Sequence, residues 1–404
     1  MKHLFFKGVR LTGSTVPADH SITSWTPSRV VVPLLPREIG LVPVGTAVKK
    51  GALLGEEGGF APENGVVTEY REILHPILGK VFCAVMELHP KSEKKKSKKY
   101  ALRGAHNRED ILQAVRQAGI INESTGEYLW KELETWFQEP PAYVAADLLE
   151  DDPLCGAGAA LFISDREKVL QGMEYLASAL PGVPRKMVWN SRWMEENRET
   201  MPSKYQLRLT GRYPAWVLYL QKTGDTAVRI GIQALAAMTE AVEEGIPQTH
   251  TVVTVSGEML PHPGRYWVPV GTPVGELLTY CGVGARPCQA VMGEALTGQA
   301  VLDPDTPITV STRGITVWTP QKARLDDRVF PCIGCGKCQS VCPQGLEPWV
   351  VQEALGLDPV PERMLWRVEE CSQCGVCRAV CPSGIDLTAC MKQAAELRKR
   401  GGLT

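Results

Sequence analysis

The cysteines are the residues of this chain whose spacing most clearly indicates chemistry. The chain has 13 cysteines among 404 residues, and eight of them lie between Cys332 and Cys381. These eight form two runs with the same spacing, each followed directly by a proline. The first run is Cys332, Cys335, Cys338 and Cys342, and the second is Cys371, Cys374, Cys377 and Cys381. Paired runs of this spacing predict two [4Fe–4S] clusters bound by thiolates.

The two runs are expected to share ligands. In two-cluster ferredoxins the fourth cysteine of each run binds the cluster of the other run. Cluster 1 is therefore assigned to Cys332, Cys335, Cys338 and Cys381, and cluster 2 to Cys371, Cys374, Cys377 and Cys342. We expect each fourth cysteine to begin a helix. We also expect the shared ligands to hold the two clusters within electron-tunnelling distance.

These cysteines could instead bind zinc or form disulfides. Zinc needs a closed tetrahedron of four ligands at each site, which fits paired runs ending in Cys-Pro less well. Disulfides need an oxidising compartment and usually a small secreted domain. Between the runs, residues 347–355 and 361–370 have helical spacing. A helical dicluster domain of the ferredoxin type is therefore predicted over residues 319–404.

Five cysteines lie outside the runs. They are Cys83, Cys155, Cys281, Cys288 and Cys390. A buried thiol that packs like a small apolar residue is the expectation for each of them. Cys155 stands beside a glycine and Cys288 follows a proline, and a redox role for either stays open.

The charge and hydropathy of the chain exclude several classes of protein. With 44 basic and 45 acidic residues, the net charge is −1, so no overall field draws the chain to nucleic acid or anionic lipid. We find no apolar run of ~18 residues and no secretory signal. The expectation is a cytoplasmic protein that can still dock peripherally on a membrane complex. Lys91–Tyr100 holds six lysines and is interpreted either as a solvated linker or as a docking patch for an acidic redox partner.

The regions before the cysteine runs are expected to be β-rich at both ends and α/β between them. Residues 1–97 contain the strand pattern Arg29–Leu35 and short strands divided by glycines, as in a barrel-sandwich hybrid fold. In residues 98–248, strands at Ala142–Asp147 and Lys186–Asn190 alternate with helices, which predicts a partly parallel, Rossmann-like sheet. The helices are expected at Asp110–Gly119, Glu167–Leu180 and Ile230–Glu244.

Residues 249–318 are expected to form a β-grasp domain of the soluble-ligand-binding (SLBB) type. An alternating strand pair is predicted around Gly257, and a helix is predicted to start near Thr272. The prolines and glycines at Pro263, Gly264 and Gly271 are interpreted as turn residues. A ligand-sensing role for this region, toward cobalamin or a quinone, is kept as an alternative.

This order of regions resembles the RnfC family, named for a component of the Rnf electron-transport complex. The likeness is carried by the two cysteine runs, by the sequences PQGLEP and PSGIDL that include their prolines, and by residues 252–278. The same family includes cobalamin reductases and the electron-transfer protein associated with D-proline reductase. Membership implies redox partner proteins, and some members carry FMN and oxidise NADH.

The chain departs from the family where the flavin is expected to bind. Phosphate binding needs glycines that allow close backbone approach. After Ile120, only Gly126 remains of the expected glycine-rich loop, and Glu123 and Glu127 would repel a phosphate. Three further segments differ from the family pattern, namely residues 149–153, 212–217 and 292–298. The lone glycine pair in Cys155–Leu161 is interpreted as a turn that begins a helix.

The sequence therefore predicts an iron–sulfur electron-transfer protein without a working FMN or NADH site. It would pass electrons through two [4Fe–4S] clusters to a partner reductase, and the family member associated with D-proline reductase fits this role best. The alternative is an enzyme, the NADH-oxidising FMN subunit of an Rnf-type complex. A cobalamin reductase-like protein is a further alternative.

Overall fold

The structure, a computed structural model, describes most of the chain. The described residues are 7–9, 20–55, 58–89, 107–149, 152, 154–190, 205–209, 212–258, 260–284, 288–319 and 328–400. Within these ranges the chain forms three β-sheets and a mainly helical C-terminal region. The expected mixed α/β and β architecture is confirmed at this level. Lys91–Tyr100, the lysine-rich segment, lies outside the described residues.

The first sheet is antiparallel and is built from residues 29–88. The chain begins with β1 (Ile22–Ser24), which joins a different sheet. The strands of the first sheet lie in the order β2-β5-β4-β3. Their bounds are Arg29–Leu34 for β2, Ala47–Val48 for β3, Gly65–His75 for β4 and Gly79–Leu88 for β5. Residues of β2 alternate between two apolar clusters, one holding Val30 and the other Val31, because successive side chains point to opposite faces.

The second sheet is entirely parallel, whereas the alternation of strands and helices predicted a partly parallel one. Its order is β8-β7-β6-β9, with β6 at Val144–Leu148, β7 at Arg185–Asn190, β8 at Gln206–Leu209 and β9 at Val228–Gly231. All five residues of β6 are buried, as is usual where helices cover both faces of a parallel sheet. The helices of this region span Arg108–Gln117, Leu129–Gln138, Gly158–Ser164, Arg166–Ala179, Ala215–Thr223 and Ile232–Glu244.

The third sheet is mixed and has the order β1-β11-β10-β14-β12-β13. Its further strands are β10 (His250–Gly257), β11 (Gly264–Pro269), β12 (Gln289–Met292), β13 (Gln299–Ala300) and β14 (Gly314–Trp318), and a helix spans Val274–Tyr280. The helix start predicted near Thr272 is confirmed.

The strand pair predicted around Gly257 is wrong. Gly257 ends the single strand β10, and β11 begins only at Gly264. A Cβ atom at Gly257 would lie 2.1 Å from the carbonyl oxygen of Val317. The glycine therefore allows β14 to approach β10 closely, with a φ of +128°, and does not form a hairpin turn.

The C-terminal region consists of short helices around two small apolar clusters. The α-helices span Lys337–Val341, Pro348–Ala354, Val376–Ala379 and Leu387–Arg400. Two 3₁₀ segments, Glu362–Leu365 and Val368–Glu370, stand where residues 361–370 had helical spacing. Among the helices of the described ranges, none is long and apolar enough to cross a membrane.

Candidate iron–sulfur site

The thiols of the two cysteine runs lie around two separate cavities. One cavity, of about 340 Å³, is lined by Cys332, Cys335, Cys338 and Cys381. Three of these cysteines come from the first run and one from the second. Trp349, Ile385 and Leu387 complete its wall with apolar surface. These are the four thiols that were assigned to cluster 1.

The second cavity has nearly the same size and the complementary thiols. Its volume is about 330 Å³, and it is lined by Cys342, Cys371, Cys374 and Cys377. These are the thiols that were assigned to cluster 2. Met391 and Val376 contribute apolar surface. Four sulfur donors around a small apolar cavity are the donor set that iron–sulfur clusters use.

Each cysteine run reaches both cavities through a short helix. Cys338 lies inside the helix Lys337–Val341, and Cys342 follows its last residue. Cys377 likewise lies inside the helix Val376–Ala379, and Cys381 follows one residue after its C-cap, Val380. Four residues of helix advance about 6 Å, so the two cavities are close neighbours.

The helix expected to begin at each fourth cysteine is wrong. Cys342 is the C-terminal cap of a helix, and the next helix begins only at Pro348. Likewise Cys381 lies between the helices Val376–Ala379 and Leu387–Arg400. Because a proline follows each of these cysteines and disfavours helical backbone before it, the helix ends at or before the cysteine.

The two cavities differ in exposure. In the first, Cys332 and Cys335 are exposed, whereas Cys338 is buried. In the second, Cys342 and Cys377 are buried, and Cys371 and Cys374 are partly buried. Cys381 of the first set is partly buried, so the first set holds the two exposed cysteines and the second set holds none.

Hydrogen bonds and burial act on the sulfur atoms of the second cavity. The backbone N–H of Leu346 donates to Sγ of Cys342 at 3.3 Å. The hydroxyl of Thr388 lies 3.7 Å from Sγ of Cys377. Burial raises the pKa of the Cys377 thiol to about 12. N–H groups directed at cluster sulfurs are one of the means by which a protein sets the reduction potential.

The thiols of each set surround a cavity and do not converge on a position where one metal ion could bind. In the part of the chain that the structure describes, no group of three or more His, Cys, Asp or Glu side chains is close enough to hold a single metal ion. The four thiols of each set instead line the wall of one small cavity, as the thiolates around a cluster of several irons do. The residues present therefore fit a multi-iron cluster.

The cluster region contacts the rest of the protein on the side of the second cavity. The backbone N–H of Gly8 donates to the carbonyl of Val341 at 2.8 Å. Nζ of Lys7 donates to the carbonyl of Pro343 at 3.3 Å. Gly375 lies so close to Leu296 that a Cβ atom there would be 2.5 Å from the Leu296 carbonyl oxygen. Backbone from distant parts of the chain thus packs beside the second thiol set.

Three of the segments that depart from the family pattern meet at Glu294. The hydroxyl of Tyr213 donates to its carboxylate at 2.9 Å, and Arg313 pairs with it at 3.2 Å. The next residue, Ala295, donates its N–H to Asp152 at 2.5 Å. Polar contacts within the protein therefore join these three segments.

The fourth departing segment forms a turn over the parallel sheet. Ser124 donates to the carboxylate of Asp147 at 3.2 Å, and Asp147 pairs with Arg229 at 3.0 Å. The pKa of the buried Asp147 is lowered, since Arg229 and Arg313 outweigh the effect of burial. Sequence analysis missed this pair. Its only signal is a charged residue near the end of each of two buried strands.

The remaining cysteines take structural positions. Cys155 is buried, and its thiol lies 3.4 Å from the carbonyl oxygen of Gly293. The helix Gly158–Ser164 starts three residues later, so the glycine pair there belongs to a turn that begins a helix. Cys83 and Cys281 are also buried, whereas Cys288 and Cys390 are partly buried.

Comparison with known proteins identifies the cluster region. A family described as "4Fe-4S dicluster domain" matches residues 331–385. These residues contain all eight cysteines of the two runs. The cluster region is therefore an iron–sulfur domain.

Several components of redox complexes are similar to longer parts of the chain. The C subunit of the ion-translocating oxidoreductase complex of Rhodobacter capsulatus is 33% identical over 129 residues, which are 31% of this chain and 25% of that protein. The C subunit of the proton-translocating ferredoxin:NAD(+) oxidoreductase complex of Clostridium ljungdahlii is 25% identical over 369 residues, 80% of this chain and 77% of that protein. The C subunit of the ion-translocating oxidoreductase complex of Vibrio cholerae is 26% identical over 383 residues, 82% of this chain and 47% of that protein.

A solved structure that is similar to the chain is the NAD+-reducing [NiFe]-hydrogenase in its H2-reduced state. It gives a TM-score of 0.47 at 14% identity and covers 77% of this chain and 65% of that one. The chain spans only a quarter of the Rhodobacter relative and about half of the Vibrio relative.

The predicted resemblance to the RnfC family is confirmed by these relatives. The chain contains an iron–sulfur domain and is similar to the C subunits of such complexes. Its closeness to the protein associated with D-proline reductase stays a prediction.

Proposed function

We propose that the chain binds two [4Fe–4S] clusters with crossed ligands and passes single electrons to a partner protein. The observation that carries this proposal is the division of the eight thiols into two sets of four, each around its own cavity and each drawn from both runs. When bound, a [4Fe–4S] cluster supplies one-electron transfer at a potential tuned by hydrogen bonds and exposure. The chain holds the two sites close together, and one of them has two exposed cysteines.

The proposed role is that of a carrier and not of an NADH oxidase. The segments that would form a flavin site in the family are joined to one another by side-chain contacts, as at Glu294 and Asp147. These contacts support a region that serves as scaffold. On this proposal the partner is a reductase or a redox complex, with D-proline reductase as the first candidate. The chain would act in the cytoplasm or on the cytoplasmic face of a membrane complex.

The domain boundaries belong to the same proposal. They are residues 1–97 for a barrel-sandwich hybrid, 98–248 for the Rossmann-like region, 249–318 for the SLBB β-grasp domain and 319–404 for the dicluster domain. The order of the three sheets supports this division. One strand crosses it, because β1 (Ile22–Ser24) pairs with β11 of the third sheet.

The second candidate function is the NADH-oxidising FMN subunit of an Rnf-type complex. The names of the relatives favour it, since one belongs to a ferredoxin:NAD(+) oxidoreductase complex. The two candidates differ in whether flavin is present.

Anaerobic purification with iron, sulfide and flavin measured together tests the proposal. Two [4Fe–4S] clusters require about eight iron and about eight sulfide per chain. We expect these amounts, no flavin, and bleaching by dithionite but not by NADH. Zinc in place of iron would contradict the cluster proposal. Stoichiometric flavin that NADH reduces would establish the second candidate.

A further inference from the structure

The parallel sheet has a crevice at the point where its strand order reverses. From β6 the chain adds β7 and then β8 on one side, and it returns to place β9 on the other side of β6. The switch point therefore lies between the carboxyl ends of β6 and β9. In open α/β sheets this is where nucleotides bind, with a phosphate at the N-terminus of the following helix.

In this chain the turn at residues 122–125 covers that crevice. The side-chain oxygen of Asn122 accepts the N–H of Gly231 at 2.9 Å, and its amide donates to the carbonyl of Arg229 at 3.0 Å. Both contacts are at the end of β9. On the other side, Ser124 donates to Asp147 near the end of β6. The turn is thus attached to both strands that border the switch point.

Glu123, which lies between Asn122 and Ser124, places its carboxyl group at the N-terminus of the helix Ile232–Glu244. Glu123 accepts the backbone N–H of Gln233 at 2.6 Å and that of Ala234 at 3.0 Å. These N–H groups belong to the first turn of the helix Ile232–Glu244, whose N-cap residue is Gly231. Because glycine has no side chain with which to cap the helix, Glu123 takes over that role from a distant part of the chain.

The space for this carboxylate exists because residue 231 is glycine. A Cβ atom on Gly231 would lie 1.9 Å from Cδ of Glu123 and 2.0 Å from one of its oxygens. The backbone angles of Gly231, φ −72° and ψ 155°, are open to any residue. The glycine is therefore required by the approach of Glu123 and not by its own conformation.

We propose that Glu123 determines cofactor specificity at this crevice, because its carboxylate occupies the position on the helix that a phosphate-bearing cofactor would need. The inference rests on the proposed carrier function, since it explains how a sheet with a nucleotide-type switch point excludes FMN and NADH. The excluded class is a phosphate monoester or diphosphate, and the protein provides the anion itself. The two hydrogen bonds of Glu123 take up the N–H groups to which a phosphate would bind.

Inorganic phosphate is the deciding probe, with Glu123→Ala as the variant that vacates the helix terminus. We expect phosphate to raise the melting temperature of the holoprotein variant in a concentration-dependent way, because a ligand that binds the folded state stabilises it. The apparent Kd for phosphate should be at least about tenfold lower than in the wild type. Sodium chloride at equal ionic strength corrects for screening.

Two variants serve as matched controls. Glu127→Ala removes an exposed carboxylate from the same turn and should not create phosphate binding. Glu123→Gln keeps the bulk in place and should also bind no phosphate. If the alanine variant does not fold, Glu123→Ser takes its place.

A folded Glu123→Ala protein without any gain in phosphate affinity would overturn the proposal. FMN binding by the wild type with micromolar affinity would overturn it as well. Iron and sulfide are measured in the same samples, so that a failure of the cluster proposal, seen as missing iron in the wild type, is distinguished from a failure at Glu123.

Discussion

At the scale of single residues, the cysteine spacing specified the thiols but not their surroundings. The two sets around the two cavities have the membership that ligand exchange between runs requires. By contrast, the role of Glu123 was foreseen only as repulsion of a phosphate. Its hydrogen bonds to the helix Ile232–Glu244 join residues over one hundred positions apart. The spacing of residues along a short segment does not predict a contact between residues so far apart in sequence.

The crossed ligand assignment gives the first residue-scale prediction. Cys335→Ala and Cys381→Ala come from different runs but line the same cavity, so both should lose cluster 1. Each should retain about half of the iron, and the electron paramagnetic resonance spectra of the two reduced variants should match. Cys342→Ala lines the other cavity and should leave a different spectrum. Stability should fall in all three, because cluster binding contributes folding free energy.

Cys390→Ala is the control for these variants. Cys390 is a partly buried cysteine of the same region and packs against the apolar cluster that includes Cys338 and Cys377, yet it lies outside both thiol sets. Its iron content should equal that of the wild type. If Cys335→Ala instead gave the spectrum of Cys342→Ala, the fourth cysteines would belong to their own runs and the crossed assignment would be wrong.

At the scale of helices and strands, periodicity predicted the elements well where burial was uniform. The strand Lys186–Asn190 and the helix Glu167–Leu180 are found with shifts of about one residue at their ends. The predictions that were wrong involve glycine or proline. One glycine is required by a contact with a distant strand, and each proline restricts the backbone of the residue before it. Gly257 resembles a turn residue in sequence, but a glycine is needed there because the carbonyl of Val317 on a neighbouring strand leaves no room for a side chain.

The contact between Gly231 and Glu123 leads to a prediction at this scale. Gly231→Ala should lower the free energy of unfolding by about 1–3 kcal/mol, as overpacking does, because its Cβ would overlap the Glu123 carboxylate. In a Glu123→Ala background the same change should cost less. The difference, about 0.5–3 kcal/mol for residues in contact, is measured with a double-mutant cycle of urea unfolding curves.

Gly284→Ala provides the reference for this cycle, because a Cβ atom at Gly284 meets nothing within 4 Å. It should have the same small effect in both backgrounds. Additive effects of Gly231→Ala and Glu123→Ala would show that the carboxylate does not occupy the space beside Gly231, and the proposed exclusion of phosphate would then lose its structural basis.

At the scale of the whole molecule, the sequence predicted the order of the regions but not how they meet. The thiol set of the second cavity lies toward the body of the protein because of contacts such as Gly8 with Val341 and Gly375 with Leu296. These pairs are far apart in sequence and involve backbone atoms, which residue types do not specify. The consequence is an asymmetry, with one thiol set beside the body and the other holding the two exposed cysteines.

This asymmetry predicts where a protein partner exchanges electrons. Ile333, between two cluster 1 cysteines, is 68% exposed, and Phe330 is 52% exposed. Apolar side chains beside an exposed redox centre favour docking of a partner there, since the centre of an interface is its most apolar part. With an acidic ferredoxin as the test acceptor, Ile333→Asp should therefore slow electron transfer by about tenfold or more, through lost apolar contact and added repulsion.

Leu302→Asp is the matched control for this prediction, because Leu302 is 76% exposed but lines neither cavity. Stopped-flow mixing of dithionite-reduced protein with oxidised ferredoxin measures the rate, and ferricyanide, a small acceptor, shows whether cluster 1 itself is intact. A slowed rate with ferredoxin and an unchanged iron content would place the docking surface at Ile333. Equal rates for both variants would mean that the partner reaches the clusters from another side, and cluster 2, beside the body, would then be the point of exchange.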